Sequence, residues 1–274
     1  MQAFIELVPC RFDFTAIDRI HLPAGKSGNT LRGAVGSQLM SSPTCEPIFA
    51  PASATGPSGY ADPPRPFVLR AAHLDGRTFE PGESFHLDLN LFDLSSATRR
   101  SLFDAIDAMA RERIGPGRGR AHLEAAKAET VKLSLCPWPD PVDRVQVRFL
   151  TPTELKAESR IVQSPDFHVL FARARDRISS LCALYGARPL RMDFRGIGDR
   201  AANVRMTRCE VQHIDTERRS SRTGQVHPLG GFTGEAEYEG DLREFMPFLE
   251  AAYWTGVGRH TVWGNGWIKV VRPA

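Results

Sequence analysis

The chain has 274 residues, 42% of them hydrophobic and 24% charged, with a net charge of +3 at pH 7. This is enough apolar material for two ordinary domains or one large one, and the lack of any run of 18 apolar residues excludes a membrane-spanning helix. The five cysteines, Cys10, Cys45, Cys136, Cys182 and Cys209, never fall in CxxC spacing. This spacing implies small buried thiols in a reducing cytoplasm, with neither a disulfide framework nor a zinc site; no metal and no cofactor are expected.

In chain order, "MQAFIELVPCRFDF" alternates apolar and polar residues without a basic leader, and reads as a long strand rather than a signal peptide. The loop "HLPAGKSGN" follows, and Asn29 or Thr30 is placed to cap a helix "LRGAVGSQLM". Residues 41–66, rich in Pro, Ser and Gly, read as a long loop. "PFVLRAA" and "ESFHLDLNLF" read as two strands. Ser95 or Ser96 caps "ATRRSLFDAIDAMARERI", whose Leu102, Phe103, Ile106, Met109 and Ala110 recur at helical spacing. "GPGRGR" ends that helix, and a strand near "TVKLSL" closes the half.

The proline-rich "CPWPDPVD" reads as a hinge, after which the same order returns. "DRVQVRFLTP" is a strand. "SPDFHVLFARARDRISSLCALYG" is a long helix capped by Ser164, with Pro165 in its first turn and Gly186 past its end. "NVRMTRCEVQHI" and "FTGEAEYEG" are strands, "DLREFMPFLEAAYW" is a helix capped by Asp241, and "GWIKVV" is the last strand. The expected fold class is α+β, two tandem ferredoxin-like β-α-β-β-α-β domains over residues 1–138 and 142–274.

Between the last helix and the last strand, Gly256, Gly258, Gly264 and Gly266 fall within 11 residues. A dinucleotide-binding GxGxxG follows a strand and opens a helix, whereas this loop follows a helix and precedes a strand. No GK[ST] is present to make a P-loop. Two readings stay open: a glycine-rich connector with a helix C-cap at Gly256, or main-chain amides set to approach a phosphate. Of the 35 basic residues 30 are Arg, and residues 144–230 hold 15 Arg and one Lys against nine acids, a net of +7 that leaves −4 for the remainder. Arg offers a planar fork suited to phosphate.

In their order, "LRGAVGSQLM", "PRPFVLR", "PGESFHLDLNLF", "TPTELK" and the stretch from "HPLGGFTGEAEYEG" to "GVGRHTVWGNGWIKV" resemble RAMP-superfamily CRISPR precursor-RNA processing endoribonucleases. The hallmark of that family is a glycine-rich loop between the last helix and the last strand of the second domain, and Gly256, Gly258, Gly264 and Gly266 match it. The resemblance implies cleavage without a metal. The 2′-hydroxyl attacks the scissile phosphate, leaving a 2′,3′-cyclic phosphate and a 5′-hydroxyl, and the enzyme keeps its product. It also implies a repeat stem-loop RNA and other CRISPR effector subunits as partners, with no membrane.

Many family members carry a general-base histidine on the first helix, but "LRGAVGSQLM" contains no His, Tyr or Lys. The nearest catalytic candidates are His21 and Lys26 in the preceding loop and Arg32 in the first turn. Arg259 and His260 in the glycine loop form a second set. RNA contacts are expected from Arg118 and Arg120 in "RIGPGRGR", from Arg218, Arg219, Ser220 and Arg222 in "ERRSSRTGQ", and from the glycine loop. Of Arg173, Arg175 and Arg177, only Arg173 and Arg177 share a helix face, and a solvated surface is the expected place for them. A non-catalytic crRNA-binding subunit remains the first alternative, and a metabolic enzyme on the same doubled fold the second.

Overall fold

The computed structural model describes residues 3–51, 63–215, 217–219, 226–228 and 230–271. The first half runs β1 (Phe4–Ala16), α1 (Ser27–Leu39), β2 (Phe67–Arg70), β3 (Ser84–Leu91), α2 (Ser96–Glu112), β4 (Ala121–Ala128) and β5 (Val131–Ser134). Its sheet is antiparallel in the order β2-β3-β1-β4, with β5 paired to the start of β1. The second half runs β6 (Arg144–Thr153), α3 (Phe167–Tyr185), α4 (Phe194–Ala201), β7 (Arg205–Ile214), β8 (Gly231–Glu239), α5 (Met246–Thr255) and β9 (Ile268–Val271). Its sheet, also antiparallel, is ordered β7-β8-β6-β9. In both halves the second strand pairs with the third and the first lies between the third and the last. It is therefore a mixed α/β chain built on antiparallel sheets.

Several local expectations are revised. The strand closing the first half is broken in two, because "AHLEAAKA" forms β4 along the later part of β1 while "VKLS" pairs with its beginning. Helix α1 starts at Ser27, ahead of Asn29 and Thr30. Its cap comes from across the fold, since Asp75 Oδ1 accepts from Ser27 N at 2.9 Å and from Ser27 Oγ at 2.6 Å. Ser95 caps α2 as expected, accepting from Thr98 N. Asp166 rather than Ser164 sits at the start of α3, and α5 begins at Met246, several residues beyond Asp241. The short α4 was not read from the sequence. Only Cys10 and Cys182 of the five cysteines are buried, and burial pushes both thiols up to about 12.

The two hydrophobic cores exchange residues. Alternate residues of a strand face opposite sides, and β1 uses both. Ile5 and Leu7 enter the second core, while Val8, Cys10, Phe12, Phe14 and Ala16 enter the first. Strand β2 is buried at every position, with Phe67 and Leu69 in the first core and Val68 in the second. Its last residue, Arg70, lies on the Val68 face and is 5% exposed. In return the glycine loop sends Val262 into the first core, with Trp263 packed against it.

Arg70 closes the joint between the halves. Its Nη2 donates to Tyr253 O at 2.7 Å and Trp254 O at 3.0 Å, Asn90 Nδ2 donates to Trp254 O at 2.8 Å, and Arg177 Nε donates to Thr255 O at 2.7 Å. These are the last carbonyls of α5, which have no partner within their own helix and carry the negative end of its dipole. Burial, followed by repulsion from Arg177, lowers the Arg70 guanidinium to about 9, so it stays charged at neutral pH. Replacing Arg70 by Met keeps much of the volume and removes the donors. We expect a loss of about 3 kcal/mol, read as a fall of roughly 5–10 °C in the thermal unfolding midpoint.

Candidate functional site

A cleft of about 640 Å³ opens between the halves. Its charged lining is Arg32 from α1, Arg65, Lys156, Arg173 and Arg177 from α3, and Arg259 from the glycine loop, with His260 beside them. Each is placed by local sequence. Arg173 and Arg177 stand one helical turn apart on α3 and so face the same way. Ser180, one further turn along, continues that row into the cleft.

Arg32 reaches the cleft because α1 has small residues on either side of it. Gly28, Arg32 and Gly36 are spaced by four and form one stripe. A Cβ on Gly28 would stand 2.0 Å from Trp263 O, and one on Gly36 would stand 2.3 Å from the Phe49 ring. The two glycines thus let Trp263 and Phe49 close onto the helix. The Arg32 guanidinium lies over both rings, 4.4 Å from the Phe49 centroid and 4.9 Å from that of Trp263, a favourable place for a weakly hydrated planar cation.

The glycine loop is held mainly by its own chain. Gly256, Gly258, Gly264 and Gly266 all have positive φ, between 68° and 87°, a region where a side chain is costly. Gly256 N donates to Ala252 O, Val257 N to Gly266 O, Gly264 N to Thr261 O and Gly266 N to Pro152 O, each at 2.9 Å. A Cβ on Gly266 would lie 1.9 Å from Val257 O, and one on Gly258 would lie 2.3 Å from Glu154 O. Gly256, Gly264 and Gly266 are buried, and the part of the loop that lines the cleft runs from Gly258 to Trp263. Close packing at all four positions fits the connector reading, and of the four glycines only Gly258 lines the cleft.

Arg259 N donates to Glu154 O at 3.0 Å, and Arg259 Nη1 donates to the buried Glu154 carboxylate. His260 Nε2 lies 3.8 Å from the same carboxylate oxygen. His260 has left-handed backbone angles (φ 61°, ψ 19°), uncommon for a residue with a side chain. Its ring stacks on Trp263 with centroids 4.6 Å apart.

The sequence candidates therefore separate. Arg32, Gly258, Arg259 and His260 meet in the cleft. His21 lies elsewhere on the first half, with Nδ1 2.9 Å from Thr78 Oγ1, beside the turn that carries Arg118 and Arg120. Arg118 has a positive φ of 54°, and Arg120 is engaged by Asp18 through contacts of 2.7 and 3.2 Å. Lys26 is exposed at the start of α1 and does not line the cleft. Arg218 and Arg219 fall in a short strand paired to residues 226–228. Their side chains, together with Ser220 and Arg222, lie outside the described residues. The cleft also gathers Arg65, Lys156, Arg173 and Arg177, of which the sequence reading placed only Arg173 and Arg177 together, on one helix face and at a solvated surface.

On the second sheet positive charge is cancelled. Arg144, Arg148, Arg205 and Arg208 pair with Glu210, Glu235, Glu237 and Glu239, the Arg144–Glu237 contact being 2.7 Å. Among the described residues no group of three His, Cys, Asp or Glu is placed to hold a metal ion, and no helix is long and apolar enough to cross a membrane.

Comparison with known proteins agrees with this architecture. Residues 147–268 match the family model described as CRISPR-associated endoribonuclease Cas6, and residues 5–137 match one described as an N-terminal domain. No curated protein matches the chain. Among solved structures, a Cas6 product complex is 15% identical at a TM-score of 0.62, covering 98% of this chain and 100% of that one. Thermus thermophilus Cas6 is 15% identical at 0.57, covering 99% and 100%. A partial Cas6-RT-Cas1–Cas2 complex is 10% identical at 0.63, covering 98% of this chain and 46% of that one. The family model that falls on the second half is of the same kind as the resemblance read from the motifs, and the fold match spans both halves.

The α1 stripe yields a test. A Cβ on Gly33 would meet no atom within 4 Å, and the position faces solvent, so Gly33→Ala should stabilise by about 0.5–1 kcal/mol. Gly28→Ala, which collides with the Trp263 backbone, should instead destabilise by roughly 1–3 kcal/mol. Urea unfolding of the two variants checks both signs.

Proposed function

We propose that the chain is a cytoplasmic, metal-independent endoribonuclease that binds the repeat stem-loop of precursor crRNA, cleaves it by 2′-hydroxyl attack and retains the product. The observation that carries this reading is the cationic cleft between the halves, which gathers Arg32, Arg173, Arg177 and Arg259 within one concavity. We read the two βαββαβ sheets as tandem ferredoxin-like domains, with 1–138 and 142–274 as their bounds. Each domain contributes one wall, the first through α1 and the second through α3 and the glycine loop.

The chemistry follows from the side chains present. As the 2′-oxygen bonds to phosphorus, negative charge builds on the non-bridging oxygens, and guanidinium groups positioned beforehand stabilise it without reorganising. Arg32, held between two rings, is the cation assigned to that charge. His21 and Lys26 are left as contacts to RNA outside the cleft, alongside Arg118 and Arg120. Arg218, Arg219, Ser220 and Arg222 are assigned to the stem. Among the solved neighbours, one is a Cas6 product complex and another is a Cas6-RT-Cas1–Cas2 assembly. They support RNA and other CRISPR proteins as partners here.

A non-catalytic crRNA-binding subunit is the second reading, favoured by α1, which presents only Arg32 to the cleft and no proton-exchanging side chain. Labelled repeat RNA incubated with the protein in EDTA separates the two. Cleavage leaving a 2′,3′-cyclic phosphate supports the enzyme, and tight binding with intact RNA supports the subunit. Arg32→Ala is expected to slow cleavage by about 10²-fold or more, and a normal rate in that variant removes its assignment.

Binding should also weaken steeply with salt. Lys156→Ala and Arg173→Ala should each flatten the plot of log affinity against log salt by about 0.7 for every single-strand phosphate that the variant no longer neutralises. Filter binding at several salt concentrations measures that slope.

A further inference from the structure

The cleft as described supplies charge but lacks an obvious proton acceptor. Guanidinium groups stay protonated in proteins, so Arg32, Arg65, Arg173, Arg177 and Arg259 cannot take the proton from a 2′-hydroxyl. Imidazole is the side-chain type that accepts and returns a proton near neutrality, and among the described residues His260 is the only histidine lining the cleft.

Three further observations converge on His260. Its backbone sits in the left-handed region, at φ 61°, although it carries a side chain. Such conformations persist where the surrounding structure enforces them, and they gather at functional sites. The enforcing contacts are present, because the loop is clamped onto residue 154 by Arg259 N donating to Glu154 O at 3.0 Å and by the close approach of Gly258 to that carbonyl. Next, the Glu154 carboxylate, on a residue 4% exposed, faces His260 Nε2 at 3.8 Å. At that separation the carboxylate, which also accepts from Arg259 Nη1, acts on the imidazole through its charge rather than through a hydrogen bond, and favours the ring orientation that turns a nitrogen toward it. Last, Trp263 carries the His260 ring stacked at 4.6 Å and the Arg32 guanidinium at 4.9 Å. One indole thus sets the position of both the imidazole and the cation assigned to the phosphate.

Resting on the endoribonuclease reading above, we propose that His260, oriented by Glu154, is the general base of this chain and occupies in the glycine loop the role left vacant on α1. In the step, the 2′-hydroxyl proton passes to the His260 ring as the O2′–P bond forms. The P–O5′ bond breaks, and the departing 5′-oxygen takes a proton from solvent water. The products are a 2′,3′-cyclic phosphate, a 5′-hydroxyl and an imidazolium that returns its proton to solvent. Glu154 is a positioning residue and touches no reacting atom.

The test uses single-turnover cleavage of repeat RNA in EDTA, with binding measured separately on RNA carrying a 2′-deoxy nucleotide at the scissile position. His260→Asn is the chosen variant because Asn tolerates left-handed backbone angles, which protects the fold. The expected result is a cleavage rate lower by about 10²–10⁴-fold with affinity for the 2′-deoxy RNA unchanged. The defect should persist when the leaving oxygen is replaced by sulfur, since a thiolate leaves without a proton donor. Restoration by the sulfur substrate would make His260 an acid and overturn the assignment, as would a normal rate in His260→Asn. Glu154→Gln should lower the rate while leaving affinity intact, and the reverse pattern would reduce Glu154 to a loop anchor and overturn its part. If the wild-type protein binds the RNA and leaves it whole, the endoribonuclease reading itself fails, an outcome visible before any variant is made.

Discussion

The end of helix α5 is the point on which the molecule turns. A helix leaves its final carbonyls without internal donors, and here those of Tyr253, Trp254 and Thr255 receive Arg70, Asn90 and Arg177. Two of these donors come from the first half and one from the second. The chain then reverses at Gly256 and enters the loop that forms one lip of the cleft. The position of that lip relative to α1 is therefore set largely by hydrogen bonds from charged donors, which are stronger than neutral ones. Arg177 belongs to both systems, holding Thr255 O through Nε while lining the cleft.

Charge is distributed with the same economy of partners. The outer face of the second sheet alternates arginine and glutamate across neighbouring strands, so its cations are matched nearly one to one. In the cleft, Asp176 pairs with Arg173 and Glu154 with Arg259, while six cations line one concavity. A concavity lined by one sign of charge focuses potential. A modest net charge of +3 is thus compatible with a strongly cationic groove.

Much of the fold was legible because it rests on local rules. The alternation in β1, the Ser95 cap of α2 and the turn chemistry around the glycines each carry their signal within a few residues. The doubled order of strands and helices followed from them. What was missed depends on distant partners. The alanine-rich β4 lacks the β-branched residues that mark a strand, and it forms because β1 offers an edge. The cap of α1 is Asp75, 48 residues away from Ser27. That Arg173 and Arg177 line the cleft follows from which face of α3 the other half leaves open, and no periodicity in the sequence states that. The four loop glycines stand out in the sequence by spacing, but the close packing of each against its own loop or a neighbouring strand depends on distant backbone and is not readable there.

Val262 belongs to the core of the first half although it lies more than a hundred residues beyond the last strand of that half. The first core is therefore not assembled from the first half alone. Contacts between residues so far apart in sequence form more slowly than local structure, so the first core depends for one of its residues on folding of the second half.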